Sequence, residues 1–83
     1  MSDFEAALAR NPNNAEAYLC RGKAHAELGR AREAMADLTR CLELNPDCAD
    51  AYFERSRLYA MRGAFEASQA DRRKALELDP SLR

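Results

Sequence analysis

Residues Ala15 to Pro46 read AEAYLCRGKAHAELGRAREAMADLTRCLELNP, and 34 residues later, from Ala49 to Pro80, the chain reads ADAYFERSRLYAMRGAFEASQADRRKALELDP. Laying one stretch over the other pairs Ala15 with Ala49, Ala17 with Ala51, Tyr18 with Tyr52, Arg21 with Arg55, Gly29 with Gly63 and Asp37 with Asp71. Leu42-Glu43-Leu44 falls on Leu76-Glu77-Leu78. The register also reaches backwards. Pro12, Pro46 and Pro80 are 34 apart, as are Asp3, Asp37 and Asp71, and Leu8, Leu42 and Leu76. A fixed period of this length is the mark of a stacked repeat, in which each unit covers its apolar face against the next.

Within one period the pattern is helical. Asn14 is a good N-cap and Glu16 places a negative charge in the first turn, so a helix is expected from Ala15 to Leu28, stopped by Gly29 in a left-handed conformation. A second helix is expected from about Ala31 to Leu44, with Ala31, Ala34, Met35, Leu38, Cys41 and Leu42 on its apolar stripe and Asn45-Pro46-Asp47 closing it. The next period predicts helices from Ala49 to Arg62 and from about Phe65 to Leu78, with Gly63 and Asp79-Pro80 as the stops. Before Pro12, the spacing of Phe4, Ala7 and Leu8 makes one more helical stripe, with Ser2 or Asp3 able to cap its start. Links of a few residues force neighbouring helices antiparallel. Composition agrees: Val, Ile and Trp are absent, while Ala, Leu, Glu and Arg are abundant, which favours helix over strand.

These residues resemble the tetratricopeptide repeat, a 34-residue helix-turn-helix unit with the signature W-x2-L-G-x2-Y, then A-x3-F, then P. The first full copy reads Tyr18-x2-Arg21-Gly22-x2-His25, Ala34-x3-Leu38, Pro46, and the second Tyr52-x2-Arg55-Ser56-x2-Tyr59, Ser68-x3-Arg72, Pro80. Arg21 and Arg55 stand where the signature has Leu, and His25 where it has Tyr. The resemblance implies an all-α fold of antiparallel helix-turn-helix repeats, about five helices, stacked as a right-handed superhelix, an α-solenoid. Residues 1–83 then form a single domain: a half repeat contributing only its second helix over 1–12, and full repeats over 15–48 and 49–82.

The two ends of the stack differ. Gln69 and Arg72 replace Met35 and Leu38 of the interior copy, so the helix from Phe65 to Leu78 is expected to present the polar outer face that ends a repeat array. Residues 1–12 lack a pairing helix: left uncovered, the Phe4 and Leu8 stripe would recruit a second copy or an exchanged element, and the equal alternative is that it packs on the helix from Ala15 to Leu28 as a cap.

Candidates for chemistry are few. His25, the single histidine, lies on an apolar stripe and is read as a packing residue. Cys41 aligns with Ala7 and Ala75 and is read as a small core residue. Cys20, Cys41 and Cys48 are odd in number and have no framework or zinc spacing, so they are read as reduced thiols of an intracellular, cytoplasmic protein. Asp37 and Asp71 recur with the period, which points to a structural or solvated role. No phosphate loop or nucleophile motif occurs, and an enzyme, a cofactor and a metal are not expected. The net charge of −1 does not indicate a nucleic-acid binder, and the run Arg72-Arg73-Lys74 spreads around a helix. No apolar run approaches the roughly 18 residues of a membrane span.

What remains is a surface. The resemblance implies that the first helix of each unit lines a concave, peptide-binding side. There, Glu16, Leu19, Lys23, Ala26 and Glu27 share one face, and Asp50, Phe53, Arg57, Ala60 and Met61 are their equivalents. Leu19 and Phe53 are read as apolar anchors and Lys23 and Arg57 as cations that would attract an acidic ligand. The family's carboxylate clamp for chaperone tails, a Lys and two Asn, falls on Lys23, Leu19 and Glu54 here, and so is judged absent. The expected function is a non-catalytic protein-protein interaction module that takes an extended peptide with acidic and apolar side chains. The alternative is a structural module that forms homo-oligomers through its N-terminal end.

Overall fold

The computed structural model describes residues 2–11 and 13–82, and the side chains of residues 6–11 and 13–82. Among the described residues five α-helices follow one another: α1 (Ser2–Arg10), α2 (Ala15–Glu27), α3 (Ala31–Leu44), α4 (Ala49–Met61) and α5 (Phe65–Leu78), with a 3-10 turn over Pro80–Leu82. The boundaries fall within a residue of those the punctuating residues predict. No strand occurs among the described residues.

Each boundary has a local cause. Asn14 is extended, and its side-chain carbonyl accepts the Ala17 N–H at 3.1 Å, satisfying one of the donors left open at the start of α2. Gly29 and Gly63 adopt φ of 78° and 80°. That conformation lets the residue after each glycine donate back to the helix, Arg30 N–H to His25 C=O at 2.8 Å and Ala64 N–H to Tyr59 C=O at 2.9 Å. The glycine N–H groups reach Ala26 and Ala60, completing the same motif at both helix ends. Between hairpins a second device recurs with the period. The side-chain oxygens of Asn11, Asn45 and Asp79 accept the N–H two residues on, at 3.1, 3.2 and 3.1 Å. These are Asx turns. At the last one the Ser81 hydroxyl also donates to Asp79 at 2.6 Å, and the two bonds from Ser81 hold the Asp79 carboxyl below the usual carboxylate range.

Packing follows the expected order. α2 lies on α3 and α4 on α5 as hairpins, α3 packs on α4 to join them, and α1 packs on α2. The core sits at the junction: Ala34, Leu38, Cys41, Leu42, Ala51 and Leu58 are buried together, with Tyr18, Leu19, Ala26, Met35, Cys48 and Tyr52 packed around them. Cys41 is fully buried, as its alignment with alanines suggests. Ala31, expected on the α3 stripe, is exposed instead; it sits in the first turn, where α3 has only just left the Gly29 turn. Leu8 is buried, so that part of the α1 stripe is covered, whereas Phe4 lies outside the described side chains.

At Gly22, α2 lies tight against α3. A methyl added there would meet Leu38 Cγ and Cδ2 at 3.1 Å and Asp37 Cβ at 3.3 Å. In the second hairpin the same position is Ser56, whose hydroxyl donates to the Phe53 carbonyl at 2.6 Å, while Ser68 crosses from α5 to donate to the Ser56 carbonyl at 2.8 Å.

Candidate functional site

The strongest polar contacts lie inside the hairpins. Arg21 and Asp37 form a two-pronged ion pair, Nε to Oδ2 at 2.8 Å and Nη2 to Oδ1 at 2.9 Å. Arg55 and Asp71 repeat it at 2.6 and 2.9 Å. Parallel N–H bonds of this kind are among the strongest polar contacts available. Arg21 also lies over the Tyr18 ring, and Arg55 over Tyr52 and Tyr59, at 5.7 to 5.8 Å from the ring centres. Asp71 raises the Arg55 pKa further above its ordinary value, chiefly through the hydrogen bond. Both aspartates are buried, so of the structural and solvated roles open to them the structural one holds. The periodic recurrence of Arg21, Arg55, Asp37 and Asp71 carried that signal, but the pairing across 16 residues needs the folded hairpin to be seen.

His25 is largely buried beside this pair. Its Nε2 is 3.6 Å from Asp37 Oδ2, beyond a hydrogen bond, and its Nδ1 is buried with no partner among the described residues. The sequence reads His25 as a packing residue, and its side chain is 12% exposed. No group of three or more His, Cys, Asp or Glu side chains among the described residues is arranged to hold a metal ion.

The concave side is formed where α2 and α4 meet. A cavity of about 190 Å³ opens there, lined by Lys23, Ala26 and Glu27 from α2 and by Glu54, Arg57, Leu58 and Met61 from α4. Of the residues expected to form the groove, Lys23, Glu27, Arg57 and Met61 come together in it. Glu16, Leu19, Asp50 and Phe53 do not line it. Glu16 and Asp50 are exposed near the helix starts, while Leu19 and Phe53 are half-buried, Leu19 against the core. Ala60 is exposed. The apolar contribution to the cavity comes from Ala26, Leu58 and above all Met61, which is 79% exposed. Sequence reasoning left Glu54 and Leu58 out of the groove. Their spacing with Arg57 and Met61, i, i+3, i+4, i+7, marks one helical face and would have found them.

The charges in the cavity are partly spoken for. Arg57 Nη1 lies 3.6 Å from Glu54 Oε2, and Glu54 is mostly buried while Arg57 is open to solvent. With its guanidinium in water and the contact at 3.6 Å, the pair contributes little to stability, on the order of 0.5 kcal/mol, but it partly neutralises Arg57 as a docking charge. Lys23 is exposed on the opposite wall.

Helical hairpins of equal length, stacked in tandem and leaving a groove between their first helices, define a helical-repeat scaffold. Sequence profiles described as "Tetratricopeptide repeat" match residues 15–48 and 49–82, and the chain belongs to that family, whose members are generally non-catalytic protein-interaction modules. Among solved structures, the crystal structure of MamA superposes with a TM-score of 0.86 at 23% identity, covering 94% of this chain and 46% of that one. The MamA MSR-1 C2 structure superposes with a TM-score of 0.81 at 26% identity, covering 96% and 46%. This chain therefore spans just under half the length of these MamA chains, and the likeness bears on the fold. No curated protein matches the chain.

Proposed function

We propose that the chain binds an extended segment of a partner protein along the groove between α2 and α4, without catalysis. The observation that carries this is the cavity in which Lys23 and Arg57 flank an apolar patch of Ala26, Leu58 and Met61. Apolar anchors supply affinity in such sites, and charges supply orientation and association rate. An apolar side chain of the partner would lie against Met61 and Leu58. A carboxylate would be drawn to Lys23 rather than to Arg57, which already has Glu54 beside it. Leu19 and Phe53, half-buried nearer the starts of the two helices, lie outside this cavity.

The experiment is affinity capture followed by mass spectrometry to identify the segment, then titration of that segment against variants. Lys23→Glu should weaken binding by about tenfold or more, and by more than Arg57→Glu, with the helical circular dichroism unchanged. Equal affinity for wild type and both variants would place binding elsewhere.

The alternative, self-association through the N-terminal end, has lost one of its two supports, because Leu8 is buried. Sedimentation at high protein concentration separates the two readings.

A further inference from the structure

We propose that Cys48 and Cys41 are a peroxide-reactive thiol pair, which closes to an intramolecular disulfide tying the end of α3 to the start of α4. Nothing in the groove uses these residues, and three features bring them together. The backbone links them through Asn45: Asn45 N–H donates to the Cys41 carbonyl at 2.8 Å, and Cys48 N–H donates to the Asn45 carbonyl at 3.2 Å. The Cys48 side chain packs against the buried cluster that contains Cys41. Cys48 is the N-cap of α4, yet its side chain makes no capping bond, so the thiol is not committed elsewhere.

The two sulfurs differ in the way such a pair requires. Cys48 is half-buried and within reach of a small oxidant, whereas Cys41 is fully buried. Burial pushes the Cys41 thiol up to about 12, and the neighbouring Cys48 and then Cys20 thiols push in the same direction. A thiol held in that state does not meet peroxide itself. The neighbouring sulfur is what lies within its reach.

The chemistry has two steps. The Cys48 thiolate attacks hydrogen peroxide: an S–O bond forms, the O–O bond breaks, and the departing hydroxide takes up a proton and leaves as water. Cys41 sulfur then attacks Cys48 sulfur: the S–S bond forms, the S–O bond breaks, and the hydroxyl leaves as a second water with the Cys41 proton. Two thiols lose two electrons in all, and the peroxide gains them. The bridge spans the Asn45-Pro46-Asp47 turn, the joint that sets how one hairpin lies on the next and hence how α4 faces α2.

The test treats the full chain with a small excess of hydrogen peroxide, blocks free thiols with N-ethylmaleimide and maps the tryptic peptides without reduction. Both sulfurs fall in the single peptide 41–55, so the bridge appears as that peptide two hydrogens lighter and unalkylated, restored by dithiothreitol, with Cys20 alkylated throughout. Cys41→Ala, which copies Ala7 and Ala75 and so keeps a small core residue, should leave Cys48 as a sulfenic acid that dimedone traps. Cys48→Ser should abolish the reaction. A bridge that includes Cys20, a disulfide between two chains, direct passage of Cys48 to the sulfinic acid in wild type, or no reaction at all would each overturn the proposal.

Discussion

At the scale of single residues, the two Arg–Asp clasps explain one departure from the family signature. Where the signature has Leu, Arg21 and Arg55 reach across their hairpins to carboxylates that recur in step with them. The swap is not neutral for either partner alone. Asp37→Ala removes the carboxylate that the Arg21 guanidinium grips, and Arg21→Leu takes the two-pronged donor from a buried carboxylate. Fully buried pairs lose about 3–5 kcal/mol on such truncation. Arg21 keeps a quarter of its side chain in water, so each single change here should cost about 2–3 kcal/mol. The double variant Arg21→Leu, Asp37→Ala should cost clearly less than the sum, and urea denaturation of the four proteins in the cycle measures the difference. Additive losses would mean that the clasp is not a coupled unit. Of all the features of the molecule this was the hardest to read from sequence. Periodicity showed that Arg21 and Asp37 matter, but which side chain meets which depends on the closeness of α2 and α3 at Gly22.

At the scale of helices, almost everything was legible, because each end is written by a residue with a specific backbone or hydrogen-bonding role. Asn14 caps, Gly29 and Gly63 take a conformation that other residues resist, and Asn11, Asn45 and Asp79 close turns. Cys48 breaks the pattern. It stands 34 residues after Asn14, at the start of α4, and offers no oxygen to the open N–H groups. Cys48→Ser restores an acceptor of nearly the same size, and a good cap is worth about 0.5–2 kcal/mol. Reduced Cys48→Ser protein should therefore be more stable than wild type by about 0.5–1 kcal/mol in urea. A loss instead would show that Cys48 contributes more by packing on the core than a cap returns. Ala31 marks the limit of this kind of reading: a stripe drawn through a first turn overestimates burial where the chain has not yet come onto the core.

At the scale of the whole molecule, the period decides the architecture and leaves the surfaces open. The face of α5 that corresponds to the buried side of α3 carries Gln69, Arg72, Arg73, Leu76 and Glu77 around a shallow cavity of about 430 Å³. Met35 and Leu38 occupy the first two of these positions in the interior hairpin, where Leu38 is fully buried. A tetratricopeptide hairpin grafted after Arg83 should melt independently of the chain, since an arginine in place of Leu38 offers it little apolar area. The same graft on Gln69→Met, Arg72→Leu should melt together with the chain in one cooperative transition. Equal coupling in both would show that Gln69 and Arg72 do not blunt this face. The groove was legible in part for a related reason. Helical spacing places residues on a side, but whether a side chain on that side reaches the cavity depends on the depth at which α2 and α4 meet, and that favours the later turns, with Lys23, Arg57 and Met61, over Glu16 and Asp50.

Both clasps shut within their own hairpin, while the seam between hairpins is oily and rests on small side chains such as Ala34 and Ala51. Each hairpin thus carries its own lock. Under tension along the stack, the seam is expected to part before the locks, so that the molecule comes apart hairpin by hairpin, like a short train uncoupling between stiff carriages.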